Sequence, residues 1–487
     1  MTCFSDSLTP AAPVRMQRVA VVAPRAALRD VLVRVADAGC VELDRADDAA
    51  RATGPAARRL QTLRAESATA LLSRTAPDLD ALQAAGRADL LEGEAQFESY
   101  REAALRHGPV AALAGWCPVT EVPRLSRSLA DAGGAVVPLR APRGIDPPTQ
   151  LPATGPVRRS LVPLVRTYGT VPYSDIDPTL PAGIAYVVMF GMMFGDAGHG
   201  ALLLLGALLL RLGRPRRLAS LRPLWPFVAG AGLASTLAGF AYGEFFGPTG
   251  VLPVLWLNPL DEPVLLLASA VGFGALLLAL AYVAGIVNRW RENGPGGALY
   301  APSGIAGASV FLGFALVAGG AVLHGPVLTA SGAVLALTGL LLAGTGLFAQ
   351  SGGGVSGGLQ TGIQLFDVVV RIGSNTISFA RLAAFGLTHA ALGGIVWQGT
   401  TGLAGAGPAG LVAALAVFVL GNALAFALEA LVAGVQALRL EFYELFSRVF
   451  DTEGRPFRPW HVPTQPHQHP VSAPQGVSAH HGTEAMT

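Results

Sequence analysis

One stretch of this chain places a charge inside an apolar, helix-forming segment: Arg371-Ile-Gly-Ser-Asn-Thr-Ile-Ser-Phe-Ala-Arg381-Leu-Ala-Ala-Phe-Gly-Leu-Thr-His-Ala-Ala-Leu392. An arginine at the middle of a bilayer costs about 3 kcal/mol on insertion scales and more than ~10 kcal/mol in simulations of isolated helices. The guanidinium does not escape this cost by losing its proton. Arg381 therefore needs a charged partner, a water-filled cavity or a function, whereas Arg371 fits an arginine whose head group reaches the membrane interface.

The composition of the whole chain is that of a membrane protein. Of its 487 residues, 52% are hydrophobic and 14% are charged, and the mean hydropathy is +0.49. Most charges precede Pro181. This predicts a cytoplasmic N-terminal domain (1–175), a membrane domain (176–450) and a cytoplasmic tail (451–487) that is disordered after residue 460. The first residues lack a continuous apolar core, so we expect no cleavable signal peptide.

Several classes of function are disfavoured by composition. Every basic residue is arginine, and a P-loop needs a lysine at the nucleotide phosphates, so we do not expect this chain to hydrolyse ATP. The net charge of +2 gives no indication of nucleic-acid binding. No cofactor or metal site is predicted, and three cysteines without metal-binding spacing are expected to be reduced structural thiols: Cys3, Cys40 and Cys117. A solvated tail is favoured over weak metal binding for His461, His467, His469, His480 and His481.

The N-terminal part shows two βαβ-like units. The first consists of a strand (14–24), an amphipathic helix (26–39) and a strand (40–43). The second consists of a strand (111–118), a helix (120–132) and a strand (135–139). Residues 54–107 between them are alanine-rich and helical. We therefore predict two small α/β lobes joined by a short helical hairpin, followed by a proline-rich linker.

Seven apolar segments follow, at 181–212, 223–246, 263–287, 305–323, 327–349, 364–397 and 409–446. The first is about 30 residues long and contains a glycine-rich turn, so it is one tilted span or two short ones. Five arginines, between Arg211 and Arg222, follow it. The positive-inside rule places them on the side of the N-terminal domain, which requires a hairpin. The chain is therefore predicted to be an α-helical polytopic membrane protein with about eight transmembrane helices and both termini in the cytoplasm.

Polar side chains form stripes on the last two helices. At 100° per residue, Ser374 and Thr388 lie within ~20° of Arg381, Asp367 lies ~40° away and His389 about 80° away. A second stripe, within an ~80° arc, consists of Glu429, Gln436 and Arg439. Titratable groups at staggered depths on two helices favour a proton relay, and an intramembrane ion pair that only holds helices together is the competing interpretation. Packing, helix-end and transport roles all stay open for Asp196, His199 and Glu244.

These residues resemble the membrane subunit of V-type and A-type rotary ATPases, called subunit a or subunit I. Residues 374–392 resemble its arginine-bearing penultimate helix, and residues 189–200 resemble its first membrane hairpin. Further C-terminal motifs lie at 429–439, 440–450 and 454–459, and N-terminal ones at 17–22, 115–118, 146–149, 168–169 and 173–178. The resemblance thus extends over nearly the whole chain through Trp460.

The resemblance implies a function for the two arginines. Arg381 would face a rotating proteolipid c-ring, with Arg439 as a second arginine. The proton path would comprise Asp367 in the cytoplasmic half-channel, His389, Glu429 and Gln436 in the opposite half-channel, and Ser374 and Ser378. Two positions depart from the family pattern: Asp367 is shorter than the usual glutamate, and Gln436 stands where some members have histidine. The soluble hairpin is also much shorter than in typical members.

The resemblance also implies partners and a location. The α/β domain would bind peripheral stalk subunits and a central-stalk cap subunit, the V1/A1 catalytic sector would act indirectly, and the chain would lie in the plasma membrane. Two other interpretations compete with this one. An ion-coupled secondary transporter also has midplane charges, but it predicts inverted repeats, which the sequence does not show. A non-translocating assembly scaffold would not need Arg381 and Glu429.

Overall fold

The computed structural model describes residues 12–44, 54–63, 69–142, 144–450 and 452–465. These residues form two compact units. The sheet unit consists of residues 15–147 and 457–465, and the helical unit consists of residues 12–14 and 148–456. The helical unit therefore begins before the boundary expected near residue 175. Cys3 and the last four histidines lie outside the described residues.

The sheet unit contains five strands, all antiparallel to their neighbours. They are β1 (Met16–Pro24), β2 (Glu42–Leu43), β3 (Leu105–His107), β4 (Val110–Pro118) and β5 (Ala135–Pro138). The strand order is β2-β4-β1-β5, and β3 also pairs with β4. Strands β1 and β4 pair over nine residues, from Met16 opposite Pro118 to Pro24 opposite Val110. The two predicted βαβ-like units are thus joined in one sheet, in the split βαβ arrangement, rather than in two lobes.

Helices cover this sheet and fill the predicted hairpin region. They are α1 (Leu28–Ala38), α2 (Pro55–Leu63), α3 (Leu79–Ala84), α4 (Ala88–Ala103) and α5 (Val122–Ala130). Helix α1 ends as predicted at Gly39, whose φ of 57° suits glycine and whose N–H bonds the Val35 carbonyl. Helices α2 and α4 are the two arms of the short helical region, where Ala56 and Ala57 pack on Ala95.

The sheet unit has a single apolar core that includes residues from far along the sequence. Trp460 is 5% exposed; its ring lies 4.5 Å from that of Tyr100, and its backbone N–H bonds the Val41 carbonyl. Val462 is also buried in this core. Cys40 and Cys117 are free thiols, and the neighbouring Cys40 thiol and burial raise the pKa of Cys117. Residues 461–465 of the expected disordered tail are thus part of a folded unit.

The helical unit begins with helices that are short or amphipathic. They are α6 (Gly155–Tyr168), α7 (Thr179–Met193) and α8 (Ala197–Arg211). Longer helices follow: α9 (Trp225–Tyr242), α10 (Pro263–Tyr300), α11 (Ile305–Val322), α12 (Pro326–Gln350), α13 (Gly354–Ser378), α14 (Ala380–Ala404) and α15 (Gly407–Leu440). A six-residue π-helical segment, Glu441–Phe446, and the short helix α16 (Ser447–Val449) complete the unit.

Six helical segments of the described chain are long and apolar enough to cross a membrane. One of them runs from Gly354 to Ala404, 51 residues that include both α13 and α14, and another from Gly407 to Val449. A 30 Å hydrocarbon core needs only about 20 helical residues. These two segments must therefore be strongly tilted or extend beyond the membrane. The protein is a multi-pass membrane protein, and the predicted count of eight spans depends on the two shorter helices α7 and α8.

The first apolar segment folds as two helices that run in opposite directions. Along α9, Gly230 contacts Val187 and Ala234 contacts Gly191, so α7 runs parallel to α9. Helix α8 runs antiparallel to α9, because Gly239 approaches Ala197 whereas Gly232 approaches Leu204. The glycine-rich turn therefore reverses the chain, as the charge distribution predicts, and α9 packs against both helices.

Replacement of Trp460 tests whether the distant C-terminal segment is integral to the sheet unit. Trp460→Ala is expected to cost about 3–5 kcal/mol because it removes a large buried ring. We predict that the amides of β1 and β4 exchange hydrogen roughly 100-fold faster or more in the full-length variant in detergent. Arg458→Ala is the matched control, because its exposed side chain is removed while its backbone N–H still bonds Glu42. Unchanged exchange in Trp460→Ala would contradict this account.

Candidate functional site

The helix that carries Arg381 is interrupted just before it. Helix α13 ends at Ser378 and α14 begins at Ala380. The residue between them, Phe379, is fully buried. It packs against Gly274 of α10, where an added Cβ would lie 2.1 Å from the Phe379 Cγ. Because only glycine leaves room for this ring, the contact fixes where the break occurs and how the first turn of α14 is oriented.

Arg381 lies on an otherwise exposed apolar face of α14. Its side chain is partly buried, and its buried Nη1 makes no hydrogen bond to any of the residues described. The same face continues at helical spacing through the exposed residues Ile377, Ala384, Thr388 and Leu392. A largely apolar face that carries one cation and small hydroxyl side chains is suited to lipid or to another helix that brings an acceptor.

A buried carboxylate lies close to this arginine. Glu444, in the π-helical segment, is 8% exposed and lies within electrostatic range of Arg381, Arg439 and Arg448. Ser378 lies beside the same carboxylate. The structure therefore brings the two predicted arginines to one region, but with an acidic residue that sequence reasoning did not include. π-helical turns inside α-helices are frequent at functional sites.

Asp367 opens onto a cavity of about 240 Å³. Its carboxylate pairs with Arg371, one helical turn away. This contact gives Arg371 a partner within its own helix. The cavity is lined by residues of the loop between α10 and α11, of α12 and α13 and of the C-terminal segment, among them Ser303, Gln364, Ser447 and Arg448. Polar groups of this kind hold water, so the cavity can hydrate Asp367.

His389 and Glu429 form a direct contact between α14 and α15. The His389 Nδ1 bonds the Glu429 carboxylate, and both side chains are largely buried. Aromatic rings surround the pair: Phe194 lies 5.1 Å from the His389 ring. Sequence periodicity placed these two residues on separate stripes, and the structure joins them.

Asp196 has the geometry of a structural anchor. It is fully buried and caps the N-terminus of α8, where its Oδ1 accepts the N–H of His199. Its carboxylate also accepts the N–H groups of Phe246 and Gly247. It thus ties the loop after α9 to the turn before α8. Glu244 in the same region is buried, and its Oε2 makes no hydrogen bond to the residues described.

The remaining predicted residues are less closely connected. Ser374 is exposed, and its carbonyl accepts a hydrogen bond from the Ser378 hydroxyl. Gln436 is partly buried, with an Oε1 that makes no hydrogen bond to the described residues. Arg439 is exposed near the end of α15. The candidate site therefore has two centres, Arg381 with Glu444 and His389 with Glu429, about 12 Å apart along α14 by helix geometry.

Residues missed by sequence reasoning are concentrated in the C-terminal segment. Glu441, Glu444 and Arg448 are all less than 9% exposed. Their signal was present: three charges at spacings of three and four follow directly on the last long apolar helix. Such spacing places them on neighbouring parts of one helical face. The Arg448 guanidinium lies over the ring of Tyr282, 5.5 Å from its centroid.

The fold and the site define a class: a multi-pass helical membrane protein with a small sheet unit and charged residues between long apolar helices. Residues 106–246 match the V-type ATPase 116kDa subunit family. The chain is 26% identical over 396 residues to the A-type ATP synthase subunit I of Thermococcus kodakarensis, covering 76% of this chain and 57% of the relative. It is 28% identical over 417 residues to that of Aeropyrum pernix, covering 73% and 58%.

A human relative shares a shorter region. The V-type proton ATPase 116 kDa subunit a 3 of Homo sapiens is 34% identical over 155 residues, which is 29% of this chain and 19% of the relative. The chain spans about half the length of the archaeal relatives it matches. Together these matches support membership of the V/A-type ATPase subunit a/I family.

Substitution of two glycines tests whether the Phe379 contact shapes the arginine site. Gly274→Val is expected to destabilise the protein by about 1–3 kcal/mol, because the added carbons displace the buried ring. Gly272→Val is the matched control on the same helix, since nothing lies within 4 Å of its added Cβ. We predict a lower thermal midpoint in detergent for Gly274→Val and little change for Gly272→Val. Equal midpoints would show that the contact is not required.

Proposed function

We propose that this chain is the stator membrane subunit of a V/A-type rotary ATPase, and that it forms two proton half-channels against a proteolipid ring. The observation that carries the proposal is Arg381, whose buried Nη1 makes no hydrogen bond to the described residues, on an exposed apolar helix face. A buried guanidinium N–H without an acceptor is costly in free energy, and this cost implies that another molecule supplies the acceptor. A carboxylate on a passing ring subunit meets that requirement.

Arg381 separates loading from release of the proton. A ring carboxylate is neutral while it faces lipid, because burial in hydrocarbon disfavours its charged form. Beside the guanidinium the ionised form is favoured, so the proton leaves into one half-channel and a new proton enters from the other. The fixed positive charge also opposes a direct proton leak between the channels. Each proton that crosses 100 mV supplies about 2.3 kcal/mol.

The cavities and buried pairs support one path on each side of the arginine. On the side that we assign to the cytoplasm, Asp367 borders the 240 Å³ cavity, and Ser374 and Ser378 lead along α13 towards Arg381. On the opposite side, His389 and Glu429 carry the proton, and Gln436 adds a polar group on α15. Glu444 joins the arginine centre, where it holds Arg381 and Arg439 in place between ring carboxylates.

The proposed topology has eight crossings, with α7 and α8 as the first two and both termini in the cytoplasm. The arginines at 211–222 and at 289–291 then lie on the cytoplasmic side, as the positive-inside rule requires. The sheet unit binds peripheral stalk subunits and a central-stalk cap subunit. Catalytic subunits elsewhere in the V1/A1 sector couple proton movement to ATP hydrolysis or synthesis, because this chain lacks the lysine of a P-loop.

Removal of the arginine charge tests this proposal directly. In the assembled complex in sealed vesicles, Arg381→Ala is expected to abolish ATP-driven proton pumping without preventing assembly, because no charge remains to release the ring proton. Arg381→Lys is expected to fail as well, since a compact ammonium loses its proton readily when buried. Arg291→Ala is the matched control, because Arg291 is an exposed arginine of α10 outside the proposed proton path. Pumping retained by Arg381→Ala would contradict the proposal.

A further inference from the structure

We propose that Asp196, His199 and His389 form a binding site for one zinc ion, whose occupation excludes the proton-carrying role of His389 for as long as the metal is bound. These residues come from three places in the helical unit: the turn after α7, the first turn of α8 and the middle of α14. One potential ligand atom from each lies within 4.8 Å of the other two. All three residues are buried, with His199 only 2% exposed. Two imidazoles and a carboxylate are a ligand set that zinc takes in proteins.

His199 is the residue with least explanation in the fold. By distance and angle neither of its ring nitrogens makes a hydrogen bond within the described part of the chain, and its polar neighbours are Asp196, whose Oδ1 lies 3.9 Å from Nδ1, and the Asn422 side chain. Its ring is packed among the rings of Phe194, Phe246 and Phe426. These phenyl rings offer no hydrogen-bond acceptor in the plane of the imidazole. A buried polar group without a partner costs about 1–3 kcal/mol. A metal ion bound to one ring nitrogen removes part of that cost.

His389 is already oriented as a metal ligand. Its Nδ1 is engaged with Glu429, which leaves Nε2 with its lone pair available for coordination. Metal-binding histidines commonly hold the second ring nitrogen to a carboxylate in this way, and that contact fixes the tautomer and the ring orientation. The His199 ring lies 5.6 Å from the His389 ring, nearly perpendicular to it. One ring nitrogen of each histidine thus lies within 4.8 Å of the other.

Asp196 can supply the third ligand without losing its anchoring role. Its Oδ1, which lies 3.9 Å from the His199 Nδ1, accepts the N–H groups of His199 and Phe246, whereas its Oδ2 accepts only the Gly247 N–H, at 2.8 Å, and keeps a second lone pair. The charged groups within electrostatic range of His389 are carboxylates, those of Glu429, Asp196 and Glu244. A divalent cation offsets this negative charge, which is costly to hold in a low-dielectric interior.

The spacing requires only a modest closure of the site. Zinc bonds nitrogen at about 2.0–2.1 Å, so tetrahedral ligand atoms lie roughly 3.4 Å apart. The three atoms must therefore approach by at most about 1.4 Å, through small shifts of all three side chains. Imidazole ligands select zinc and similar transition metals over magnesium or calcium. A water molecule would take the fourth position.

Zinc binding to the full-length chain in detergent tests the site without any other subunit, so its failure leaves the proposed rotary function untouched. Metal-stripped protein is titrated with Zn²⁺ against a chromophoric chelator. We expect His199→Asn and His389→Asn each to lose one tight equivalent relative to the starting protein, and Glu429→Gln to bind that equivalent about 10–100-fold more weakly. Any zinc that the histidines of the tail bind is the same in every variant.

Two further variants keep the test decisive. His324→Asn is the matched control, because His324 lies in an exposed turn between α11 and α12 and should retain the equivalent. His199→Cys should also retain it, since a thiolate replaces the imidazole as ligand. Metal-free thermal midpoints confirm that each variant is folded. Unchanged binding in His199→Asn, an equal loss in His324→Asn, or loss in folded His199→Cys would overturn the proposal.

Discussion

A guanidinium group that keeps its proton inside an apolar helix must be stabilised by something other than its own helix. Arg381 is in this position, and the surrounding structure is arranged around it. Phe379 interrupts the helix two residues before it and packs against Gly274. Glu444 supplies a buried carboxylate within electrostatic range. The Arg381 Nη1 still lacks a hydrogen-bond acceptor among the described residues, and the proposed function assigns that acceptor to a ring subunit.

The arrangement along α14 explains how a single helix can serve both sides of a membrane. Arg381 lies near its start and His389 about 12 Å further on, where it bonds Glu429 of α15. The cavity at Asp367 lies on α13, on the other side of the break. In the proposed function, an ion that follows these groups meets the fixed positive charge between them, and this charge is what would separate two half-channels.

Local patterns in the sequence predicted much of the fold. Alternation and the glycine after α1 gave the strands and helix of the first βαβ unit, and charge placement gave the reversal between α7 and α8. Contacts between residues far apart in the sequence could not be predicted from these local patterns. Nothing local indicates that β1 pairs with β4, or that Trp460 enters a core more than 300 residues earlier in the chain. The sequence alone therefore did not predict that the two βαβ-like units form one sheet.

The candidate site was also predicted only in part, for the same reason. Helical periodicity identified the stripes that hold Arg381, Asp367 and Glu429, because each stripe lies on one helix. The contact between His389 and Glu429 depends on how two helices pack, which a single sequence does not specify. Glu444 was missed because it lies beyond the last regular helix, in a π-helical segment whose wider turn changes which side chains face inwards.

Cross-linking tests most directly whether the Arg381 face meets a proteolipid ring. In a background with the three native cysteines replaced by serine, Thr388→Cys is exposed and lies within ~20° of Arg381. Ala390→Cys is buried on the other side. With a cysteine placed beside the ring carboxylate, oxidation is predicted to cross-link Thr388→Cys and not Ala390→Cys in complexes that hydrolyse ATP. No cross-link at Thr388→Cys, or equal cross-linking at both positions, would contradict the account.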